Sequence, residues 1–291
     1  MIDLLYEVLI APFADFEFMR RALVGAVALA VAGAPVGVFL MLRRMSLTGD
    51  AMSHAILPGA AIGYLAFGLS LTAMTVGGLI AGLAVAIGAG AVARASVLGE
   101  DATLAAFYLV SLALGVTIVS MRGSNVDLLH VLFGTVLALD DQALMLIAGI
   151  ATVTLVAFAV ILRPLVLESV DPIHLASVGR SGAVAHLVFM GLVVLNLVGA
   201  FHALGTLLAV GMMMLPAASA RLWVEDLTPL VAVAVAIGAA SAAAGLLASY
   251  HGGLPAGPAI ILVAGLVHLA SLVFGRRGLV VGRLTRPHLE A

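Results

Sequence analysis

The sequence predicts an all-α integral membrane protein in which residues 1–291 form a single transmembrane domain of about nine helices. Hydrophobic residues make up 64% of the chain and charged residues only 10%, a composition that the surface of a water-soluble domain would not tolerate. Long apolar runs rich in Ala, Gly, Leu and Val lack the alternation of membrane β-barrel strands. Because the backbone in lipid must satisfy its own hydrogen bonds, these runs are predicted to be helices.

Residues 1–19 are the first predicted element, an amphipathic helix that lies along the outer membrane surface. The segment is apolar but contains Asp3, Glu7, Asp15 and Glu17, which disfavour a membrane crossing. No basic residue precedes the first two acids, so the segment does not resemble a secretory signal peptide. We therefore expect the chain to insert through its own spans.

The predicted spans are apolar windows long enough to cross a bilayer. In chain order they cover residues 20–42, 54–69, 71–93, 103–121, 142–162, 184–200, 202–222, 229–250 and 258–274. The glycines and alanines within them are typical of helices that pack closely in lipid, since small residues let two backbones approach.

Three further segments do not fit the pattern of simple spans. Residues 125–141 are apolar but short and bounded by acids, which favours a re-entrant or interfacial helix on the outer side. Residues 163–182 form the longest polar connection, within which Asp171-Pro172 indicates a helix start and Gly179 a helix end. We expect this connection to be cytoplasmic and accessible to a partner. Residues 275–291 are predicted to be a cytoplasmic tail.

The arginines predict an external amino terminus and a cytoplasmic carboxy terminus, because positively charged loops stay in the cytoplasm. In this orientation three arginines lie outside, namely Arg20, Arg21 and Arg122. Ten lie inside, namely Arg43, Arg44, Arg94, Arg163, Arg180, Arg221, Arg276, Arg277, Arg283 and Arg286. The reversed orientation is the alternative and violates the charge rule at most of these positions.

Several classes of function are excluded or disfavoured by composition. The chain has no lysine and therefore lacks the phosphate-binding loop that ends in GK[ST], so any ATP hydrolysis belongs to another subunit. It has no cysteine, which excludes disulfides and thiolate metal sites. A net charge of −2 leaves no basic surface for nucleic acid. No serine has the surroundings of a hydrolase nucleophile.

Asp50 and His54 are the first candidates for function, because they lie four residues apart on one helix face inside an apolar chain. Zinc and manganese both accept carboxylate and imidazole ligands. Two copies of the chain about a twofold axis would bring two such pairs to one ion. Alternatively, Asp50 caps the helix and His54 bonds a carbonyl. Pro58 and Gly59 either free backbone carbonyls toward a cavity or form a packing kink.

His130 and His202 are the next candidate metal ligands, on the outer side. A lone histidine on an apolar face more often has a structural role, and the same holds for His186, His251 and His268. His174 and His288 are expected in solvent. The run Met212–Met214 faces several sides of a helix and is better explained by core packing.

Five stretches of the chain resemble one family, the permease subunits of bacterial zinc and manganese ABC importers (ZnuB/MntB-like). The likeness covers nearly the whole chain. The stretches are MLRRMSLTGDAMSHAILPGAAIG at 41–63, VDLLHVLFGTVLAL at 126–139, VDPIHLASVG at 170–179, MMLPAASARL at 213–222 and LPAGPAIILVAGL at 254–266.

The resemblance implies the fold of the vitamin B12 importer permease with one fewer span, and a homodimer in the bacterial cytoplasmic (inner) membrane. It implies two partner proteins, a cytoplasmic ABC ATPase dimer and an extracytoplasmic metal-binding protein, and no permanently bound cofactor. It places Asp50 and His54 on the metal pathway. It also places the segment with Asp171, Pro172, Ala176 and Gly179 in a groove of the ATPase, although Ile173-His174 stands where a Glu is common.

The expected function is ATP-driven import of a divalent metal by alternating access, with Zn²⁺ favoured over Mn²⁺ by the histidine content. A manganese or iron importer of the same family is the alternative. A proton-coupled secondary cation transporter with Asp50 as proton carrier is the alternative of another class. Such transporters often contain inverted repeats, and the sequence shows no convincing internal repeat.

Overall fold

The fold is known from a computed structural model that describes residues 2–68, 70–97, 99–121, 136–170 and 181–280. These residues form helices and connections, with no strand among them. The helices are α1 (Ile2–Leu9), α2 (Ala11–Asp15), α3 (Glu17–Leu42), α4 (Thr48–Ala55), α5 (Leu57–Phe67), α6 (Leu71–Ala95), α7 (Glu100–Met121), α8 (Asp141–Val170), α9 (Ser181–Leu204), α10 (Thr206–Arg221), α11 (Leu227–Gly252) and α12 (Ala256–Phe274), with a 3-10 turn at Val136–Ala138. The prediction of an all-α protein is confirmed.

Seven described helices have the length and hydropathy of a membrane span: α3, α6, α7, α8, α9, α11 and α12. The count of nine is not confirmed, because two predicted windows contain shorter helices. The window 54–69 spans the end of α4 and the whole of α5, which meet at Ile56. The window 202–222 contains α10, which has 16 residues and begins after Gly205. Gly205 has φ +86°, a conformation that L side chains rarely adopt and that ends α9.

Helix α3 lies at the centre of the bundle and packs against α8, α10 and α11. Every residue from Ala32 to Leu40 in α3 is buried, so this part of the helix has little lipid-facing surface. Helices α5 and α6 form a second close pair in which Gly59 and Gly77 face each other. A Cβ on either glycine would collide with the carbonyl of the other. The predicted role of small residues in helix packing is therefore observed here.

The charged residues lie at two opposite ends of the bundle. At one end Arg21 pairs with Glu17 at 2.7 Å and with Asp141 at 3.0 Å. At the other end Arg43 pairs with Glu168 at 3.0 Å. Arg277 and Glu225 form a further ion pair beside the end of α10. This separation matches the two arginine groups of the sequence, while the membrane orientation of the chain stays a prediction.

Two element boundaries differ from the predicted ones. Helix α8 continues through Arg163 and Pro164 to Val170, eight residues beyond the predicted span. A proline inside a helix costs one hydrogen bond, about 3 kcal/mol with its steric clash. The fully buried Leu165 and the ion pair of Glu168 hold this last part of α8 in place. The predicted polar connection is therefore shortened to residues 171–180, which lie outside the described residues.

The amino-terminal segment forms two short helices rather than one. Neither α1 nor α2 is long enough to cross a bilayer. The segment contacts the end of α11, where the ring nitrogen Nε2 of His251 lies 3.0 Å from the carbonyl oxygen of Val8. Residues 125–135 of the predicted re-entrant segment and residues 281–291 of the predicted tail lie outside the described part of the chain. The re-entrant segment is described from Val136 onward. Its described end is anchored by the buried side chains of Val136 and Leu139.

Candidate functional site

The candidate site is positioned by a tight reversal of the chain after α3. The backbone N–H of Met45 donates to the carbonyl of Leu40 at 2.8 Å, and that of Thr48 donates to the carbonyl of Met45 at 3.0 Å. Arg44 reaches this geometry with φ +59°, an uncommon backbone conformation for a residue other than glycine. After the reversal α4 packs mainly against α7, and Thr48 is buried at the start of α4.

Asp50 and His54 lie on successive turns of α4, and their side chains face each other. His54 Nε2 is 4.0 Å from Asp50 Oδ1, too far for a hydrogen bond. Two ligand atoms about 2.1 Å from a tetrahedral zinc lie about 3.4 Å apart, so a small rotation of either side chain would let both bind one ion. The Asp50 side chain is 65% exposed and that of His54 28%. The pair is therefore accessible to a ligand.

The capping alternative for Asp50 is not what the structure shows. The residue before α4 is Leu47, and Asp50 is the third residue of the helix. Among the described residues no side chain caps the start of α4. Asp50 therefore lies within the helix, on the same face as His54.

Tyr108 of α7 contacts the imidazole of His54 and was not identified from the sequence. The two rings stack with centroids 6.3 Å apart and planes at 30°. Stacking restricts rotation of the His54 ring, and Tyr108 is far from His54 along the chain. Only a pattern of contacts between α4 and α7 reveals this neighbour, since no local motif surrounds Tyr108.

The helix divides directly after the pair, where the proline and glycine at 58 and 59 were expected to loosen it. Helix α4 ends at Ala55, Ile56 is in a turn, and Pro58 lies in the first turn of α5. The freed carbonyl of Ala55 does not face a cavity, because the hydroxyl of Ser111 donates to it at 2.9 Å. The break is thus supported from α7 by a buried hydrogen bond.

Asp50 and His54 form a group of only two possible metal ligands. In the described ranges no group of three or more His, Cys, Asp or Glu side chains is close enough to share an ion. Leu47, the residue before α4, lies three positions before Asp50 and is 82% accessible. A metal site built on Asp50 and His54 would need further ligands beyond these two side chains.

Most of the remaining predicted site residues lie outside the described part of the chain. His130, Asp171, Pro172, Ala176 and Gly179 lie outside the described residues. His202 is in the last turn of α9, and its side chain is likewise outside the description. Three histidines expected to be structural have protein partners: His186 contacts Arg43, His251 contacts Val8, and His268 contacts Ser219. Met212 and Met213 are buried, as predicted for core residues.

Comparison with known proteins connects this geometry to a family of transporters. Residues 15–275 match the family described as ABC 3 transport family. The manganese import system permease protein ScaB of Streptococcus parasanguinis is 33% identical over 257 residues, which cover 88% of this chain and 90% of that protein. The manganese transport system membrane protein MntC of Listeria monocytogenes is 33% identical over 270 residues, covering 92% and 95%.

A solved structure shares the fold over almost the whole chain. The structure is PsaBC from Streptococcus pneumoniae in complex with Fab, and one of its chains superposes with a TM-score of 0.83 at 30% identity. The superposition covers 98% of this chain and 100% of that chain. The break in the second predicted span and the short α10 therefore belong to a fold that a natural protein adopts.

Proposed function

The chain belongs to the ABC 3 transport family, and on that basis we propose that it is the permease of a manganese importer. It is a permease subunit of an ABC transporter for metal import and not an enzyme. The choice of manganese is supported by the two relatives that are named for manganese and resemble this chain over most of its length. Zinc, the metal favoured by the histidine content, is not specifically supported. The Asp50 and His54 ligands accept either ion.

The observation that carries the proposed path of the metal is the Asp50–His54 pair on the exposed face of α4. In a homodimer two copies of α4 meet at the twofold axis and bring two carboxylates and two imidazoles to one ion. Waters complete a six-coordinate manganese site. Such a site holds the ion without enclosing it, so that the ion can leave when the helices reorient. The break at Ile56 allows α4 to move separately from α5.

The proposed assembly contains two further components besides the second copy of the chain. An ABC ATPase dimer binds the cytoplasmic segment that contains Asp171, Pro172, Ala176 and Gly179, and it hydrolyses the ATP. An extracytoplasmic metal-binding protein delivers the ion at the opposite end. The chain lies in the bacterial cytoplasmic membrane, with its amino terminus outside and its carboxy terminus in the cytoplasm. The arginines at the Arg43 end of the bundle support this orientation.

The experiment is metal uptake by proteoliposomes that contain the permease with its ATPase and binding protein. We expect accumulation of radioactive manganese that requires ATP and persists when an ionophore collapses the proton gradient. Uptake that needs the gradient but not the ATPase would instead indicate a secondary transporter. Competition with unlabelled zinc tests the metal, since preferential transport of zinc would contradict the assignment to manganese.

A further inference from the structure

Arg43 forms the centre of a polar cluster at the end of the bundle that is predicted to be cytoplasmic. Its Nη2 atom lies 3.0 Å from Glu168 Oε1 and 3.1 Å from His186 Nδ1. Its guanidinium carbon lies 5.6 Å from the ring centre of Phe189. Because a guanidinium only donates, Nδ1 of His186 is the acceptor in this contact. The Arg43 cluster, defined as Arg43, Glu168 and His186, joins the ends of α3, α8 and α9.

The cluster is mostly shielded from solvent, but its hydrogen-bonding groups are only partly satisfied. The side chains of Arg43 and Glu168 are 11% and 15% exposed. Arg43 Nη1 and Glu168 Oε2 have no hydrogen-bond partner in the described part of the chain. Removing two charges from water is costly, and a pair whose remaining atoms are unsatisfied recovers this cost incompletely. Stability alone is therefore a poor explanation for the cluster, whereas fixing the mutual position of three helix ends is a good one.

Two of the three helix ends flank the segment that is proposed to contact the ATPase. Glu168 precedes residue 171 by three positions, and His186 follows residue 180 by six. Force that the ATPase applies to this segment is expected to reach the end of α8 and the start of α9, to which the segment is covalently joined. Because Arg43 Nη2 contacts both side chains, a displacement of these helix ends reaches Arg43 through two contacts.

The third helix end is directly connected to the candidate metal site. Arg43 follows α3, and only four residues separate it from Thr48, the first residue of α4. Backbone hydrogen bonds constrain this connection. The N–H of Met45 donates to the carbonyl of Leu40, and the N–H of Thr48 donates to the carbonyl of Met45. A shift of Arg43 therefore changes the position of α4, on which Asp50 and His54 lie.

We propose that Arg43 is a positioning residue that couples the ATPase-contacting segment to the metal-binding helix α4. This inference rests on the proposed function, because it requires residues 171–180 to contact the ATPase. Arg43 does not touch the metal. Its role is to make the position of α4 depend on the positions of α8 and α9, so that ATP hydrolysis and release of the ion occur together.

The test is the amount of manganese transported per ATP hydrolysed by the reconstituted complete transporter. In Arg43→Gln we expect ATP hydrolysis to continue while manganese transported per ATP falls about tenfold, within the range of allosteric coupling energies. Glu168→Gln removes the negative charge that pairs with Arg43 and changes the side-chain size little. It should likewise leave ATP hydrolysis intact and lower the manganese transported per ATP. Arg44→Gln is the matched control, because it removes the same charge from the exposed neighbouring side chain and should leave the ratio unchanged.

The possible outcomes separate this inference from the proposed function. A wild-type complex that moves no manganese with ATP would overturn the proposed function and this inference with it. A wild-type complex that transports, together with an unchanged ratio in Arg43→Gln and Glu168→Gln, would overturn this inference alone. Parallel loss of ATP hydrolysis and transport in both variants would also overturn it, because the cluster would then only maintain the fold. An equal fall in manganese transported per ATP in Arg44→Gln would also overturn this inference, because loss of a positive charge, and not loss of the contacts of Arg43, would then explain the effect.

Discussion

Two polar groups lie within one short stretch of this chain, and they have opposite surroundings. The Asp50 carboxylate is 65% exposed and has only a loose contact with His54, at 4.0 Å. The Arg43 guanidinium is 11% exposed and contacts two side chains and an aromatic ring. A loosely paired, accessible acid can exchange a cation with solvent or with a partner. A buried, multiply bonded cation holds its neighbours in place.

The two proposals give the two groups separate tasks in one transport cycle. Under the proposed function the Asp50–His54 pair binds the cargo for a short time, and under the further inference the Arg43 cluster transmits movement. Their proximity along the chain explains how the tasks are joined, since the reversal between α3 and α4 is tightly hydrogen-bonded. Variants at each group should therefore fail in different ways.

The largest expected effect is the loss of metal uptake in Asp50→Asn and in His54→Ala. Each variant removes one of the two ligands that one chain is proposed to contribute, and therefore two of the four in the dimer. Uptake of radioactive manganese should fall to background while the permease still assembles with the ATPase. His251→Ala is the control, because it deletes a histidine that contacts Val8 away from the site. Normal uptake in either Asp50→Asn or His54→Ala would refute the assignment of the site.

A smaller effect is expected from removing the ring that stacks on His54. Tyr108→Leu frees the imidazole to rotate and should raise the KM for manganese about tenfold, the scale of orienting residues around metal ligands. Tyr108→Phe keeps the stacked ring and should behave like the wild type. Manganese uptake measured over a range of manganese concentrations gives the KM of each variant. Equal KM values for the Leu variant and the wild type would mean that the stacking does not orient His54.

Arg43→Lys should have an intermediate effect on coupling. Lysine keeps the positive charge but lacks the planar fork that reaches two partners and lies over an aromatic ring. Manganese transported per ATP should lie between the values for the wild type and for Arg43→Gln. A value as low as that of Arg43→Gln would show that both contacts are needed. A wild-type value would show that charge alone suffices and would argue against a geometric role.

The smallest effect is expected at the support of the helix break. Ser111→Ala leaves the buried carbonyl of Ala55 without its donor and should lower stability by about 1–3 kcal/mol. Thermal unfolding of the purified permease in detergent should show a lower midpoint. Ser120→Ala on the same helix is the control, since Ser120 is exposed. Unchanged stability in Ser111→Ala would mean that another group satisfies this carbonyl.

Local patterns of the sequence were sufficient to predict much of the fold. Apolar length and composition located the seven long helices, although the predicted end of α8 at Leu162 was eight residues too early. The error at α8 has a physical cause, because Arg163-Pro164 is a local signal for a helix end. Burial of Leu165 and the ion pair of Glu168 override that signal. The i, i+4 spacing of Asp50 and His54 likewise identified the candidate site without any structure.

The sequence by itself determined the all-α membrane class, the positions of the apolar helices and the shared face of Asp50 and His54. These features depend on residues that are close together in the chain. Only the tertiary structure decided that Tyr108 stacks on His54, that Ser111 supports the break at Ile56, and that Arg43 is buried among Glu168 and His186. Arg43 looked like one more cytoplasmic charge, because its partners are more than a hundred residues away and are brought to it only by helix packing.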